Sequence, residues 1–209
     1  MPAPTKKNKI QSLTAPERIL ERTIQIIEEL GEAGIRTNPI AVECGVTPPI
    51  LYRAFHSREG LIIAAQSERY RRATELAAEV LYERIASAKS RKQLVTNISE
   101  FLDFVFLPDR TGARRLRAEV IGSAISRPEL QEAIVKIDSA YGQTMAEAIQ
   151  PAIDKGWVSP HVDMVDLMRW ALSVVNSRIS IEFDGNHQLG ETWNSLTKSA
   201  IMTSVFGDS

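Results

Sequence analysis

The stretch NPIAVECGVTPPILYRAFHSREGL, residues 38–61, decides the fold because it contains the start and end signals of two short helices. Asn38 followed by Pro39 predicts the start of one helix, since asparagine is a good cap and proline suits the first helical position. Gly45 predicts its end, where the chain turns left-handed. Thr47 predicts the cap of a second short helix. Two short helices at so tight a corner indicate a helix-turn-helix.

The second helix, which should reach Phe55, is expected to expose one side. Leu51 and Phe55 stand four residues apart on one face, so we expect both to pack inward. Two prolines in the first turn are tolerated because the N–H groups there have no partner in the helix. The residues that can reach outward are Pro48, Pro49, Ile50 and Arg53. An exposed second helix at such a corner is the geometry that enters a DNA major groove.

At these residues the chain resembles the TetR family of bacterial transcriptional regulators. The match extends over residues 14–61, and beyond it only length and helical character agree. The pattern departs in two places: Ile35 and Arg36 precede the first short helix where the family usually has threonine and serine, and Thr47-Pro48-Pro49 replaces a serine-lysine-glycine-like start. The matching residues are Ile40, Ala41, Gly45, Val46, Thr47, Leu51, Tyr52, Phe55, Ser57, Arg58, Glu59 and Leu61.

The composition is that of an ordinary globular protein. The chain has 209 residues, 44% of them hydrophobic and 24% charged, enough to bury a core. Cys44 is the single cysteine, which excludes a disulfide framework and fits a reducing compartment. No apolar run has the length of a membrane span or the pattern of a signal peptide. We therefore expect a cytoplasmic protein without membrane contact.

The charge pattern is informative only locally. A net charge of −1 gives no overall nucleic-acid signature, so a DNA-binding face has to arise from the placement of single residues. Residues 1–13 form a basic tail, predicted to be flexible, that carries Lys6, Lys7 and Lys9. Such a tail is either a solubilising end or an arm that lies on phosphate or in the minor groove.

The N-terminal domain is predicted to span residues 14–61 and to contain three helices. Thr14 and Glu17 have the spacing of a capping box that opens the first helix. Leu20, Ile24, Ile27 and Leu30 recur at helical spacing and predict its buried stripe. Cys44 is expected to be a buried core cysteine.

Residues 62–209 are predicted to form a larger helical domain, so the fold class is all-α. Ser57 should cap a long helix over residues 57–88. Ser126 and Glu129 have the spacing of a second capping box. Further helices are predicted over residues 91–107, 113–125, 161–183 and 193–206, with breaks at 151–160 and 185–190.

Nine residues are expected to take part in DNA binding, some from the family resemblance and the others from their position or side-chain chemistry. Thr47, Tyr52 and Arg58 match positions that hold the DNA backbone, although Tyr52 could instead pack against the first helix. Arg36 and Thr37 lie where the preceding helix meets the backbone. Arginine pairs with a guanine edge, so we assign that role to Arg53. Apolar surface favours thymine methyl groups, which is the role expected of Pro48, Pro49 and Ile50.

The last two long helices predict a homodimer. Small residues on the final helix allow another helix to approach closely, and two such helix pairs would form a four-helix bundle across a two-fold axis. Ordinary packing within one chain is the alternative. The predicted interface residues are Met168, Val175, Ile179, Leu196, Ala200 and Thr203.

A small organic effector is expected inside the larger domain, because that domain exceeds what dimerisation needs. The predicted walls carry few charges, which favours an apolar or aromatic compound. Each wall residue could also be an ordinary core or surface residue. The predicted lining consists of Asn97, Phe101, Phe104, Tyr141, Met145, Trp170 and Asn176.

An enzyme is not predicted, because the sequence lacks the motifs of catalysis, metal binding and cofactor binding. Its three histidines are His56, His161 and His187, which stand on different elements, and no phosphate-cradling glycine loop or nucleophile elbow occurs. The prediction is a ligand-responsive repressor that binds a palindromic DNA operator as a dimer and is released by its effector. The alternative is a helical protein-interaction adaptor without sequence-specific DNA binding.

Overall fold

The computed structural model describes residues 13–158 and 161–207, and all regular elements among them are helical. The all-α prediction is therefore confirmed. The chain divides into two compact units at residues 69 and 70, eight residues beyond the predicted domain boundary. The basic tail with Lys6, Lys7 and Lys9 lies outside the described residues, so its role stays a prediction.

The N-terminal unit holds the predicted three-helix domain. Its elements are α1 (Ala15–Leu30), a 3-10 turn (Glu32–Gly34), α2 (Thr37–Glu43), α3 (Pro48–Phe55) and the first part of α4 (Arg58–Ala86). The predicted capping box is present, because Glu17 accepts a hydrogen bond from the Thr14 backbone N–H at 2.7 Å. Ser57 caps α4 as predicted and accepts from the Gly60 N–H at 2.9 Å.

The buried stripe of α1 differs from the predicted one at its end. Ile24 and Ile27 are buried as expected, but Leu30 is 67% exposed. Leu30 is the last residue of α1, and the chain turns away at Gly31, where φ is +69°. Cys44 is half-buried at the C-terminus of α2, against the expectation of a fully buried residue, and burial raises the pKa of its thiol.

The corner between α2 and α3 forms as predicted, but α2 begins earlier. Arg36, and not Asn38, is the residue before the helix, and the Ile40 N–H bonds to the Arg36 carbonyl at 3.2 Å. Pro39 is the third residue of this helix, where it is tolerated because first-turn N–H groups need no helical acceptor. Gly45 adopts φ +67° as predicted. The Val46 N–H then bonds to the Ala41 carbonyl at 2.9 Å, which closes the turn.

The C-terminal unit contains the rest of α4 and six further helices among the described residues. These are α5 (Arg91–Val105), α6 (Thr111–Ala124), α7 (Pro128–Asp154), α8 (Met164–Ser177), the short α9 (Ile179–Glu182) and α10 (His187–Phe206). A 3-10 turn, Pro108–Arg110, joins α5 to α6. One apolar core gathers residues from α4, α5, α7, α8 and α10.

Three predicted helix ends in this unit are wrong. The residue before α7 is Arg127 rather than Ser126, and no side-chain cap bond forms there. The helix continues through Pro151 to Asp154, and Ala152 in its last turn is buried. Asn186 caps α10 and accepts from the Leu189 N–H at 3.2 Å, so this helix starts before the predicted residue 193.

A close approach between α7 and α8 occurs at Gly142. A Cβ atom there would lie 2.9 Å from Cγ of Arg169 and 3.0 Å from the carbonyl oxygen of Val165. Real Cβ atoms essentially never come within 3.0 Å of another atom. The absence of a side chain at Gly142 therefore sets how closely these two helices pack.

Candidate functional site

The exposed side of α3 is the first candidate site. Leu51 is fully buried and anchors α3 on the core of the N-terminal unit. Thr47 precedes the helix with extended backbone, although its side chain makes no cap hydrogen bond. Pro48 is half-buried. The exposed residues of this surface are Thr47, Pro49, Ile50, Tyr52 and Arg53. The short helix therefore presents a continuous outer face.

Arg53 lies on this face and its guanidinium has no hydrogen-bond or ion-pair partner among the described residues. A solvated arginine keeps five N–H donors available for a planar acceptor such as a base edge. Its position in the last turn of α3 also suits the negative end of the helix dipole. The arrangement leaves Arg53 ready to bind a partner from outside the chain.

Thr37 and Tyr52 link α2 to α3. Their side-chain hydroxyls form a hydrogen bond of 3.0 Å. Tyr52 is 42% exposed, so this contact holds the ring while leaving much of it open to solvent. The contact is made with α2 and not with the first helix, which was the predicted alternative for Tyr52, and it leaves the hydroxyls at the surface.

Two arginines predicted to contact DNA hold the backbone before α2. The Arg58 side chain donates from Nε to the Ile35 carbonyl at 3.1 Å and from Nη2 to the Glu32 carbonyl at 2.7 Å. Arg36 donates from Nη1 to the carbonyls of Ala33 and Ile35. Sequence patterns missed this role, because the 3-10 turn that supplies the carbonyls has no strong signature.

A cavity of about 150 Å³ inside the C-terminal unit is the second candidate site. Its walls come from α4, α5, α6, α7, α8 and α10, and they are mainly apolar. Three of the predicted lining residues contribute to it, namely Phe101, Phe104 and Tyr141. Apolar walls with a few polar groups are typical of small-molecule sites.

The other four predicted lining residues lie elsewhere. Asn97 donates from Nδ2 to the Arg84 carbonyl at 2.7 Å near the end of α4. Met145 is fully buried in the core, and Trp170 is 41% exposed on α8. Asn176 accepts a hydrogen bond from Arg117 at 3.2 Å and does not line the cavity itself. Helical spacing predicted which residues face inward. It could not predict which of the inward residues line a cavity.

The sequence prediction missed three arginines that line the cavity. Arg110 precedes α6, and Arg114 and Arg117 follow at intervals of four and three residues, which places all three on one face. That spacing was visible in the sequence. Arginines are usually solvent-exposed, so the pattern suggests an outer face, yet Arg114 and Arg117 are buried.

Arg114 is matched by acceptors. Its Nε donates to Oε1 of Glu182 at 2.8 Å, and its Nη groups reach the carbonyls of Val105 and Leu107. Arg178 also donates to Glu182 Oε1, at 2.7 Å, so one carboxylate serves two guanidinium groups. Burial lowers the pKa of Arg114, while the hydrogen bond to Glu182 opposes that shift.

Arg117 has only neutral acceptors among the described residues. Its Nη1 donates to Asn176 Oδ1 and its Nη2 to the Ala73 carbonyl at 2.5 Å. Its Nε is buried and without a partner. Burial lowers the pKa of this guanidinium, and the negative forms of Tyr70, Tyr141 and Asp138 oppose the shift.

Two further polar groups complete the cavity wall. The Arg110 guanidinium lies over the Phe104 ring at 3.9 Å, and its Nε is buried without a partner. Burial raises the pKa of Tyr141 to about 12, and its hydroxyl forms no hydrogen bond within the described part of the chain. Two arginines that line a mainly apolar cavity, Arg110 and Arg117, therefore each keep a buried N–H group without an acceptor among the described residues.

The predicted dimer residues fall into two groups. Met168 and Ile179 are buried, and Val175 is half-buried and lines the cavity with Met168, so these three offer little exposed surface for a second chain. Leu196, by contrast, is 67% exposed on α10. Ala200 and Thr203 are exposed on the same face. Of the predicted interface residues, those on α10 are the exposed ones that a second chain could contact.

The described residues contain neither a candidate metal-binding cluster nor a helix that could span a membrane. No cluster of three or more His, Cys, Asp and Glu side chains that could bind a metal ion occurs there. Within the same ranges, every helix is too short or too polar to cross a membrane.

Solved structures with the same fold include proteins described as transcriptional regulators. A protein described as a TetR-family transcriptional regulator from Rhodococcus sp. is 23% identical, with 90% of this chain and 96% of that chain covered and a TM-score of 0.61. A TetR transcriptional regulator from Chloroflexus aurantiacus is 21% identical, covering 95% and 98%, with a TM-score of 0.60. A protein from Saccharomonospora viridis, described as a transcriptional regulator and solved with choline, is 17% identical, covering 91% and 97%, with a TM-score of 0.57.

The chain thus has the fold of TetR-family transcriptional regulators. The resemblance drawn from residues 14–61 is confirmed at the level of the fold, and it extends to the C-terminal unit, where the sequence pattern gave only helices. No family model matches the chain, and no curated protein matches it by sequence.

Proposed function

We propose that this protein is a ligand-responsive repressor of transcription that binds a palindromic DNA operator as a homodimer and is released by a small organic effector. The observation that carries the proposal is α3, the exposed second helix of a helix-turn-helix, whose Arg53 has no partner among the described residues. The fold shared with TetR-family regulators supports it. The protein acts by binding and not by catalysis.

Sequence reading is assigned to the outer face of α3. Arg53 supplies donors for the O6 and N7 acceptors of a guanine in the major groove. Pro49 and Ile50 are exposed and offer apolar surface to thymine methyl groups, with Pro48 at the margin. A reader of this kind has one strong hydrogen-bonding contact per half-site, so the apolar contacts and DNA shape contribute the rest of the preference.

Contacts to phosphate are assigned to the surface around α2 and α3. Thr37 and Tyr52 present their paired hydroxyls there, and Thr47 is exposed at the start of α3. Arg58 retains Nη1, which has no partner among the described residues, while Nε and Nη2 fix the preceding turn. Arg36 likewise retains Nη2. Each contributes position and salt-dependent affinity rather than base preference.

Dimerisation is assigned to the exposed faces of α8 and α10. Leu196, Ala200 and Thr203 form an apolar and small-residue face on α10. Trp170 and Ser173 are exposed on α8. Two helices from each of two chains would bury these faces in a four-helix bundle. A two-fold dimer implies two half-sites related by the same symmetry, which is why we propose a palindromic operator.

Effector binding is assigned to the cavity of the C-terminal unit. Choline in the S. viridis protein supports a small-molecule site in this fold. The cavity is bordered by residues of α4, which is one continuous helix from Arg58 to Ala86. The effector changes the packing around α4, and a hundredfold loss of DNA affinity requires a difference of about 2.7 kcal/mol between its affinities for the two states.

Selection of bound duplexes from a random or genomic DNA pool tests the proposal. We expect an imperfect palindrome with half-site centres about 34–36 Å apart, or a larger multiple of the helical turn. The selected genomic fragments also name the regulated genes. A pool that shows no enrichment, with the protein folded and dimeric, would contradict the proposal and favour the adaptor function. Reporter expression from a selected operator, with and without the gene for this protein, tests repression.

A further inference from the structure

The cavity in the C-terminal unit carries positive charge that its own walls do not neutralise. Three lining residues are arginines, and none of the lining residues described is acidic. Glu182 lies outside the lining and serves both Arg114 and Arg178. Within the described ranges, Arg110 and Arg117 have no carboxylate in ion-pair contact. A pocket that binds a neutral or cationic compound has no need of this excess.

Arg117 is the most informative of these groups. It is 4% exposed, and its acceptors are the neutral Asn176 amide oxygen and Ala73 carbonyl. Its Nε is buried with no acceptor. Burying a guanidinium without an anionic partner costs several kcal/mol, and a third donor without a bond adds to this cost. An anion that bonds to Nε would offset this cost. The free energy that the unliganded protein loses here would then strengthen binding of the anion.

Tyr141 and Arg110 add two more donors to the same cavity. Tyr141 is 8% exposed and lines the cavity, its hydroxyl forms no hydrogen bond in the described part of the chain, and it lies close enough to Arg117 for their charges to interact. The buried Nε of Arg110 has no acceptor either. The remaining walls are aliphatic and aromatic, and they include Leu81, Ile98, Phe101, Leu102 and Leu172.

We infer that the cavity binds a carboxylate with an apolar tail, whose head group accepts hydrogen bonds from Arg117 and Tyr141. Carboxylate oxygens match the donor geometry of a guanidinium, and the apolar walls receive the rest of the molecule. The inference rests on the proposed effector response and gives its ligand a chemical class. It also revises the expectation from sequence, which favoured an apolar or aromatic compound because the predicted walls held few charges.

Titration calorimetry with three matched probes tests the inference on the protein without DNA. The probes are octanoate, octan-1-ol and octylamine, which share one tail and differ only in the head group. We expect octanoate to bind at least tenfold more tightly than octan-1-ol, and octylamine to bind least. Replacing Arg117 by Met should remove this preference. Tyr141→Phe, which deletes one hydroxyl, should reduce it severalfold.

Arg115→Met is the matched control, because Arg115 is on the same helix but exposed and outside the cavity. It should leave all three affinities unchanged. If Arg117→Met does not fold, Arg110→Met and Tyr141→Phe decide, since neither removes a side-chain hydrogen bond within the described residues.

Equal binding of octanoate and octan-1-ol, tightest binding of octylamine, or no binding of octanoate would overturn the inference. An unchanged preference in both Tyr141→Phe and Arg110→Met, with Arg117→Met unfolded, would do the same. None of these results depends on DNA. If the protein selects an operator but binds all three probes equally, only this inference is wrong. If it prefers octanoate but selects no DNA, only the proposed regulator function is wrong.

Discussion

Thr37 and Tyr52, the first residue of α2 and a central residue of α3, join the two helices of the corner through a 3.0 Å bond between their hydroxyls. The bond crosses fifteen residues of sequence and lies at the surface. It therefore fixes the angle of α3 from its exposed side, while Leu51 fixes it from the core. The two hydroxyls are also the groups that a phosphate could engage.

Tyr52→Phe should weaken DNA binding on every sequence to a similar extent. The change removes the bond to Thr37 and a donor at the proposed phosphate surface. It should lower the free energy of unfolding by about 1 kcal/mol. Fluorescence anisotropy on operator and unrelated DNA measures the first effect, and urea titration the second. Tyr82→Phe is the control, since Tyr82 is exposed on α4 in the C-terminal unit. A changed base preference would contradict the assignment.

Arg53→Ala should cost about 1–3 kcal/mol of operator binding and relax preference at one base pair per half-site. The reason is that Arg53 is the long donor-bearing side chain on the exposed face of α3. Repeating the DNA selection with the variant measures the preference position by position. Arg115→Ala, an exposed arginine of the C-terminal unit, is the control. Uniform weakening on all sequences would make Arg53 a phosphate contact instead.

Arg58→Ala should have two separable effects. Loss of the bonds to the Ile35 and Glu32 carbonyls should lower the free energy of unfolding by about 1 kcal/mol. Loss of a phosphate contact should reduce the slope of log affinity against log salt by about one unit. Arg58→Lys should keep most of the salt slope but not the paired carbonyl bonds. An unchanged slope in Arg58→Ala would leave this residue a purely structural role.

Ala200→Asp should dissociate the proposed dimer and abolish tight operator binding. Ala200 lies on the exposed face of α10 with Leu196 and Thr203, and a carboxylate buried at a two-fold interface faces its own copy. Analytical ultracentrifugation measures the assembly state. Ala140→Asp introduces the same charge at an exposed site on α7 and should stay dimeric. A dimeric Ala200→Asp protein would place the interface elsewhere.

Stability should fall in alkali, in part through Tyr141. Burial raises the pKa of this phenol to about 12, above its unfolded value of about 10. A raised folded pKa gives stability that is complete below the unfolded value and is lost as pH rises towards the folded value. Tyr141→Phe should therefore flatten the decline in unfolding free energy between about pH 10 and about pH 12. Urea titrations across that range measure it, and parallel curves for the two proteins would refute the account.

The local chemistry of the helix-turn-helix was readable from sequence because single residues determine it. Gly45 has the positive φ that its turn needs, and Thr47 with the two prolines starts α3 as predicted. The first residues of helices could not be predicted where several neighbouring residues compete to cap the helix. Arg36 and Arg127, neither a favoured cap, precede α2 and α7 because packing and the neighbouring turns select the register there.

The candidate cavity was only partly readable, for a geometrical reason. Periodicity marks the inward face of a helix but cannot tell a residue in the packed core from one beside empty space. Met145 and Phe101 share the same pattern, yet only Phe101 lines the cavity. Met168 and Val175 were assigned to a dimer for the same reason, since an apolar stripe fits an interior as well as an interface. The cavity arginines do stand at helical spacing, but arginine is usually solvent-exposed, so this pattern alone indicates an outer face rather than a buried one.

The half-buried thiol of Cys44 gives the corner a built-in reporter. It is the only cysteine of the chain, and it lies at the end of α2 against the core of the N-terminal unit. Because burial raises the pKa of the thiol, the reactive thiolate is less favoured in the closed corner than in an opened one. The rate of labelling at this single site therefore reports how often the corner opens. DNA that clamps α2 and α3 together would slow that chemistry without touching the sulfur.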